Sequence, residues 1–156
     1  MDKCNDFAKK HIQKLLDGED VSPSMYINDI AKIFNTTIFH ATQRKGISNS
    51  FRWILFHLAH NDGLTQLQLV KLTHFTAPSI SVALSKMETD GFVKRVADEK
   101  DMRQVRVFLT DKGREHNNFI SNQCRETEVI MLNGISEKEK QKLCDLLRRI
   151  LKNLVG

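Results

Sequence analysis

Apolar and polar positions follow two different periods along this chain. Phe7, His11, Ile12, Leu15 and Leu16 recur at helical spacing over residues 3–16, and Asp17-Gly18 closes the run. Ser22-Pro23-Ser24 opens another helix, with proline in the first turn where its missing N–H is not needed. Ile27, Ile30, Ala31, Phe34, Ile38 and Ala41 keep an i, i+3, i+4, i+7 stripe, which predicts a long helix over about residues 24–45 stopped by Gly46. Asn49 or Ser50 then opens FRWILFHLAH, a helix apolar on several sides and so expected to be buried. It ends at Asn61-Asp62-Gly63.

The next elements are shorter. Thr65 and Gln68 have the spacing of a capping box and predict a helix to about Leu72. Thr76-Ala77-Pro78 restarts the chain as a helix that runs to Asp90-Gly91. Phe92, Val93 and Val96 begin a strand. Val105, Val107 and Leu109 then alternate with Gln104, Arg106 and Phe108, the period of a strand with one buried face. Between them ADEKDM is too charged for a core and predicts an exposed hairpin tip. Thr110 caps a helix over about residues 111–133, which carries Phe119, Ile120, Cys124 and Ile130 and ends at Gly134. Ser136 and Glu139 form a second capping box, followed by the broad stripe Leu143, Leu146, Leu147, Ile150, Leu151 and Leu154.

Helix, turn, helix and hairpin in that order is one solution for reading duplex DNA. A helix fits the major groove, and a narrow basic loop reaches the adjoining minor groove. The expected fold is therefore mainly α with a small β-hairpin wing. The terminal helices are long, amphipathic and remote in sequence from the central unit, which is too small to cover them. They are expected to pack together and against a second copy in a two-fold dimer; the alternative is a monomer whose terminal helices fold back on the central unit. The whole of residues 1–156 then forms a single domain. Residues 46–110 are its winged helix-turn-helix DNA-binding lobe, and residues 1–45 and 111–156 its helical dimerisation lobe.

Composition narrows this without deciding it. With 40% apolar residues the chain can build a core, and two prolines and seven glycines argue against a disordered or fibrous chain. The net charge of +5 is compatible with a polyanion partner but does not require one. Over residues 46–110 basic side chains only slightly outnumber acidic ones, so a DNA reading rests on placement rather than on total charge. Cys4, Cys124 and Cys144 are far apart and form no CxxC pair, which indicates neither a disulfide framework nor a structural zinc site. A reducing, cytoplasmic setting is expected, with no signal peptide, no membrane span and no cofactor.

Several motifs together resemble the MarR family of bacterial transcription regulators. Gly63-Leu64-Thr65-Gln66 resembles the family's opening of the first helix of the helix-turn-helix. Met87-Glu88-Thr89-Asp90-Gly91-Phe92-Val93 resembles its join from recognition helix to wing. Asp101-Met102-Arg103, then Leu109-Thr110-Asp111-Lys112-Gly113, resembles the wing signature. The resemblance covers nearly the whole chain in element order and is most specific over residues 63–113. It implies a homodimeric winged helix-turn-helix repressor or activator of a pseudo-palindromic operator, often released by a small molecule or oxidant. One departure matters: many relatives carry an arginine directly after a Thr or Ser of the recognition helix, where this chain has Val82 after Ser81.

Ile80, Ala83, Leu84 and Met87 are expected to form the inner, core-facing side of the recognition helix. Thr76, Ser79, Ser81, Val82, Ser85 and Lys86 lie on the other faces, the candidate reading surface. Val82 can touch a thymine methyl, and the serines can bond base edges or phosphates, which predicts an operator leaning to A/T. Arg103 at the wing tip suits a narrow minor groove because its fork is planar and weakly hydrated. Asp101 would repel phosphate and is expected to orient Arg103 or tie down the loop. Lys100 and Arg106 are candidate phosphate contacts, as are Lys94 and Arg95 less directly, and Gln66 from the side.

The resemblance also implies an effector site between the two lobes. Candidate liners are Phe34, His40, Arg44, Trp53 and His57, with plain core packing as the alternative for the aromatic ones. The scattered histidines, with only His116 on the helix after the wing, predict no metal switch. Lys3, Lys9 and Lys10 near Cys4 would favour a thiolate, whereas Cys124 and Cys144 fall on apolar stripes and read as packing residues. No Gly-rich phosphate loop, nucleophile elbow, HExxH or paired carboxylates point to an enzyme. The competing class is a winged-helix module that binds protein rather than DNA.

Overall fold

Local capping dictates most of the element boundaries. A computed structural model describes residues 11–18, 21–43, 45–98 and 101–156. Helix α1 is described over residues 11–17, followed by α2 (Pro23–Gln43), α3 (Asn49–His60), β1 (Leu64–Thr65), α4 (Gln66–Thr73), α5 (Ala77–Thr89), β2 (Val93–Ala97), β3 (Val105–Leu109), α6 (Asp111–Met131) and α7 (Glu137–Val155). Both expected capping boxes form. Thr65 accepts from the Gln68 N–H and Ser136 from the Glu139 N–H, while each N3 side chain bonds back to the cap's own N–H. Thr76 and Thr110 cap α5 and α6 the same way, accepting from Ser79 and Gly113.

The recognition helix α5 ends in a Schellman motif. Gly91, at φ 76°, turns the chain so that its N–H reaches the Glu88 carbonyl (3.0 Å) and the Phe92 N–H reaches that of Met87 (2.8 Å). Phe92 and Met87 are both buried, which gives the motif its hydrophobic contact. The Gly-Phe pair after Asp90 is thus a consequence of ending a helix and launching a strand within two residues. His74 closes α4 in the left-handed region (φ 57°), forming the turn of the helix-turn-helix.

The sheet has three antiparallel strands in the order β1-β3-β2, not the expected two-stranded hairpin alone. Gly63, at φ 83°, swings Leu64 and Thr65 alongside Val107 and Arg106, and the Gly63 N–H donates to the Val107 carbonyl (3.0 Å). The β2–β3 register pairs Val93 with Leu109, Arg95 with Val107 and Ala97 with Val105. The expected buried face holds only at the root of this hairpin. Val107 is 1% exposed but Val105 is 46% exposed, because the strands run out beyond the body.

One core gathers α3, α5 and the hairpin root: Ile54, Leu55 and Leu58, then Ile80, Leu84 and Met87, then Val93, Val107 and Leu109. Ile38 of α2 and Ile120 of α6 close it from the other side. α3 is buried on one side rather than all round, since Trp53 and Phe56 face outward. α2 stops at Gln43, short of the expected end, and α6 at Met131. Tyr26 of α2 donates to the Leu15 carbonyl (2.8 Å) and so fastens α1, with Leu15 buried. No residue of α7 is buried, and its whole apolar stripe is exposed. Among the described residues no helix is long and apolar enough to cross a membrane.

Candidate nucleic-acid interface

Burial sorts the faces of α5. Ile80, Ala83, Leu84 and Met87 are buried, as their spacing predicts. On the outer side Ser79, Val82, Ser85 and Lys86 are exposed and Ser81 is half-buried. Val82 is 71% exposed, so it has no packing role inside the chain. Thr76 is exposed and spends its hydroxyl on the cap, with Ser79 Oγ 2.8 Å away. Gln66, the first residue of α4, is half-buried.

A groove of about 500 Å³ runs between α5 and the start of α3, lined by Ser48, Ser50 and Phe51 on one side and by Pro78, Ser79, Val82, Ala83 and Lys86 on the other. Hydroxyls, one ammonium and one exposed methyl pair share a single depression. That set can take an anionic oxygen and an apolar edge side by side. Ser48 and Ser50 were not among the expected readers. Their sequence signals a helix start, and nothing local shows that this start faces the recognition helix.

The wing tip is a tied turn. Asp98, only 8% exposed, accepts the Asp101 N–H at Oδ1 (3.1 Å) and pairs with Arg106 at Oδ2. Asp101 accepts the Arg103 N–H (3.1 Å) and the Gln104 side-chain amide (3.0 Å), while its carbonyl accepts the Gln104 N–H (2.8 Å). The acid expected to tie the loop therefore turns its carboxylate onto the turn's own donors. Met102 and Arg103 occupy the two central positions, both exposed. Arg106 is committed differently: besides Asp98 it donates to the Gly63 carbonyl (3.0 Å), a contact spanning 43 residues that braces the hairpin against β1. Arg95 leans back onto α5, donating to Ser85 Oγ (3.2 Å) beside Glu88 (3.5 Å). Lys100 lies outside the described residues.

The expected effector residues do not all converge. Trp53 and His57 stack (6.4 Å, 28°), and Phe56 joins them edge-on, continuing to His60 at 4.4 Å. Phe34 lies against the core and His40 against Phe39, while Arg44 and Cys4 fall outside the described residues. The residue that the sequence hid is Arg52. Its guanidinium is buried on α3, donates to Asn35 Oδ1 of α2 (2.8 Å) and lies over the Trp53 ring (5.1 Å). Burial pushes the neighbouring Cys124 thiol up from its ordinary value, against the pull of Arg52, so it is a poor thiolate. Among the described residues no group of three His, Cys, Asp or Glu side chains is placed to hold a metal ion.

Burial, and then the nearby His60, hold the His57 imidazole below its usual value, although its bond to the Leu72 backbone pulls the other way. A histidine depressed in the folded state binds fewer protons than in the unfolded one. Its contribution to stability is present above about pH 6.5 and is lost as pH falls through the folded value. Wild type should therefore lose melting temperature between pH 7 and pH 5 more steeply than His57→Gln. Parallel pH profiles for the two proteins would rule this out.

Comparison with known proteins gives a consistent picture. A family model described as MarR family matches residues 46–104. The chain is 33% identical over 112 residues to an uncharacterized HTH-type transcriptional regulator, YdgJ, of Bacillus subtilis, covering 70% of this chain and 66% of that protein. The match thus spans about two thirds of that relative's length. A MarR family transcriptional regulator from Silicibacter pomeroyi superimposes with a TM-score of 0.70 at 27% identity, over 82% of this chain and 86% of that one. A MarR family regulator from Listeria monocytogenes, solved in complex with a 26mer DNA, superimposes with a TM-score of 0.75 at 19% identity, over 86% and 89% of the two chains.

Proposed function

The chain belongs to the MarR family of transcriptional regulators, and from that premise we propose that it is a homodimeric, sequence-specific DNA-binding regulator. In this reading it represses from a pseudo-palindromic operator and is released by a small-molecule or oxidant effector. The supporting observation is the pairing of two exposed surfaces on elements that share one core. The outer face of α5 carries Ser81, Val82, Ser85 and Lys86, and the wing tip beside it carries Arg103 on a hydrogen-bonded turn. α5 enters the major groove, with Val82 against a thymine methyl and serine hydroxyls on base edges or phosphates. Arg103 enters the flanking minor groove, where A/T-rich sequence deepens the negative potential. Gln66 and Thr76 contact the backbone from the helix starts. Two N–H groups of Arg106 brace the wing on Asp98 and Gly63, and its side chain is 42% exposed, so we keep it as a phosphate contact as well.

The Listeria relative bound to DNA supports the docking mode by fold. The bare apolar stripe of α7 supports the dimer. The seam of α2 and α3, where Asn35, Arg52 and Trp53 meet, is our choice for the effector; the raised Cys124 thiol argues against that residue as an oxidant sensor.

Binding of a duplex selected from a random pool, followed by fluorescence anisotropy across a salt series, tests this. Arg103→Ala should weaken binding roughly tenfold or more with unchanged melting, and Lys86→Ala should flatten the salt slope by about one counterion. A wild-type chain that selects no duplex and shows no salt-dependent binding would refute the DNA reading and favour a protein-binding module.

A further inference from the structure

The wing tip is not only basic; it is apolar in a place where nothing inside the chain uses apolar surface. Met102 is 76% exposed and stands next to Arg103 at the apex of the Asp101–Gln104 turn. Val96 and Val105 are also exposed. Val96 pairs with Arg106 and Val105 with Ala97, neighbouring rungs of the ladder, so the two valines lie on opposite faces of the hairpin. Of the described residues at the apex, the acids Asp98 and Asp101 are turned onto backbone N–H groups and Arg106 rather than outward. The result is a hydrogen-bonded turn with an apolar side chain and a guanidinium side by side at its apex.

Resting on the DNA reading above, we infer that Met102 is a minor-groove wedge that works together with Arg103. The walls of the minor groove are deoxyribose rings, which are largely apolar. Only the apex of the turn is narrow enough to enter such a groove, so Met102 and Arg103 are the side chains that meet its walls, with Val96 and Val105 behind them on the ladder. Arg103 supplies the charge that holds the blade in the groove, and Met102, unbranched and adaptable, packs against the sugars and the exposed edge of a base step. A wedge of this kind opens a step toward the major groove, and flexible pyrimidine–purine steps yield most readily. Specificity then arises at the flank of the site from deformability rather than from base-edge hydrogen bonds.

The test uses the full chain and a duplex selected by wild type, labelled at both ends so that energy transfer reports bending. Met102→Ala should weaken binding about tenfold with an unchanged salt slope and a smaller bend, and Met102→Leu should keep both. Met102→Lys should steepen the salt slope by about one counterion without restoring the bend. Melting temperatures should not move, since the side chain is exposed. If wild type binds and bends the duplex and Met102→Ala does the same with equal affinity, the wedge is refuted while DNA binding stands. If wild type binds no duplex, the DNA reading itself fails and the wedge with it.

Discussion

Gly113→Ala should lower the melting temperature by about 6–12 °C, corresponding to a loss of about 3 kcal/mol. Helix propensity alone gives the opposite sign, because alanine is favoured over glycine inside a helix by up to about 1 kcal/mol. Packing overrides it here. A Cβ on Gly113 would stand 2.1 Å from the Phe92 carbonyl oxygen, 3.1 Å from its carbon and 3.2 Å from Leu109 Cδ2. That carbonyl is held in place, since it accepts the Thr110 N–H (3.1 Å), and the Thr110 hydroxyl that caps α6 donates to the adjoining Gly91 carbonyl (2.6 Å). The first turn of α6 therefore lies directly on the strand that leaves the recognition helix. Gly134→Ala is the control. Its φ of +81° costs about 1–2 kcal/mol, but no atom lies within 4 Å of the new methyl. Thermal melts of the two variants compare contact with backbone strain. A Gly113→Ala protein that melts at or above wild type would disprove the close approach.

The second large effect concerns assembly. In the double variant Leu147→Glu/Leu151→Glu two carboxylates enter the exposed stripe of α7. The proposed dimer should dissociate at micromolar concentration, and operator affinity should fall roughly 10²–10⁴-fold as bivalent engagement is lost. The expectation follows from how little of α7 the chain itself covers. Leu143, Leu146, Leu147, Ile150, Leu151 and Leu154 repeat on one side of a helix with no buried residue, an apolar surface that a solitary protein in water rarely keeps. Sedimentation of wild type and variant reads the result. A wild type that sediments as a monomer, or a variant that stays dimeric, overturns it.

The sequence made legible what depends on near neighbours. Thr65 with Gln68 and Ser136 with Glu139 announced two helix starts because a capping box is closed within four residues. Ile80, Ala83, Leu84 and Met87 declared the inner face of α5 by spacing alone. What stayed hidden depends on distant partners. The bracing contact of Arg106 was one such feature, because a strand arginine next to a charged loop has no local reason to be occupied and its partner Gly63 lies 43 residues away. Leu64 and Thr65 showed no strand signal because two residues carry no alternation, and only the turn at Gly63 brings them to β3. Arg52 was read as part of an apolar helix, since the Asn35 that makes its burial tolerable belongs to a different helix. The groove shared by Ser48, Ser50 and Lys86 was invisible for the same reason.

Asp62 sits where the helical stem meets the blade. One of its oxygens holds the Leu109 N–H (2.9 Å) and the other holds Arg114 at the first turn of α6 (2.5 Å). Asp62 thereby links stem and blade through one residue. In the proposed pair of chains a small tilt of α6 would be magnified at the far end of the hairpin, as a pointer magnifies the turn of its shaft. A signal that moves the helices by little could then spread or narrow the distance between two blades and lift them from their grooves.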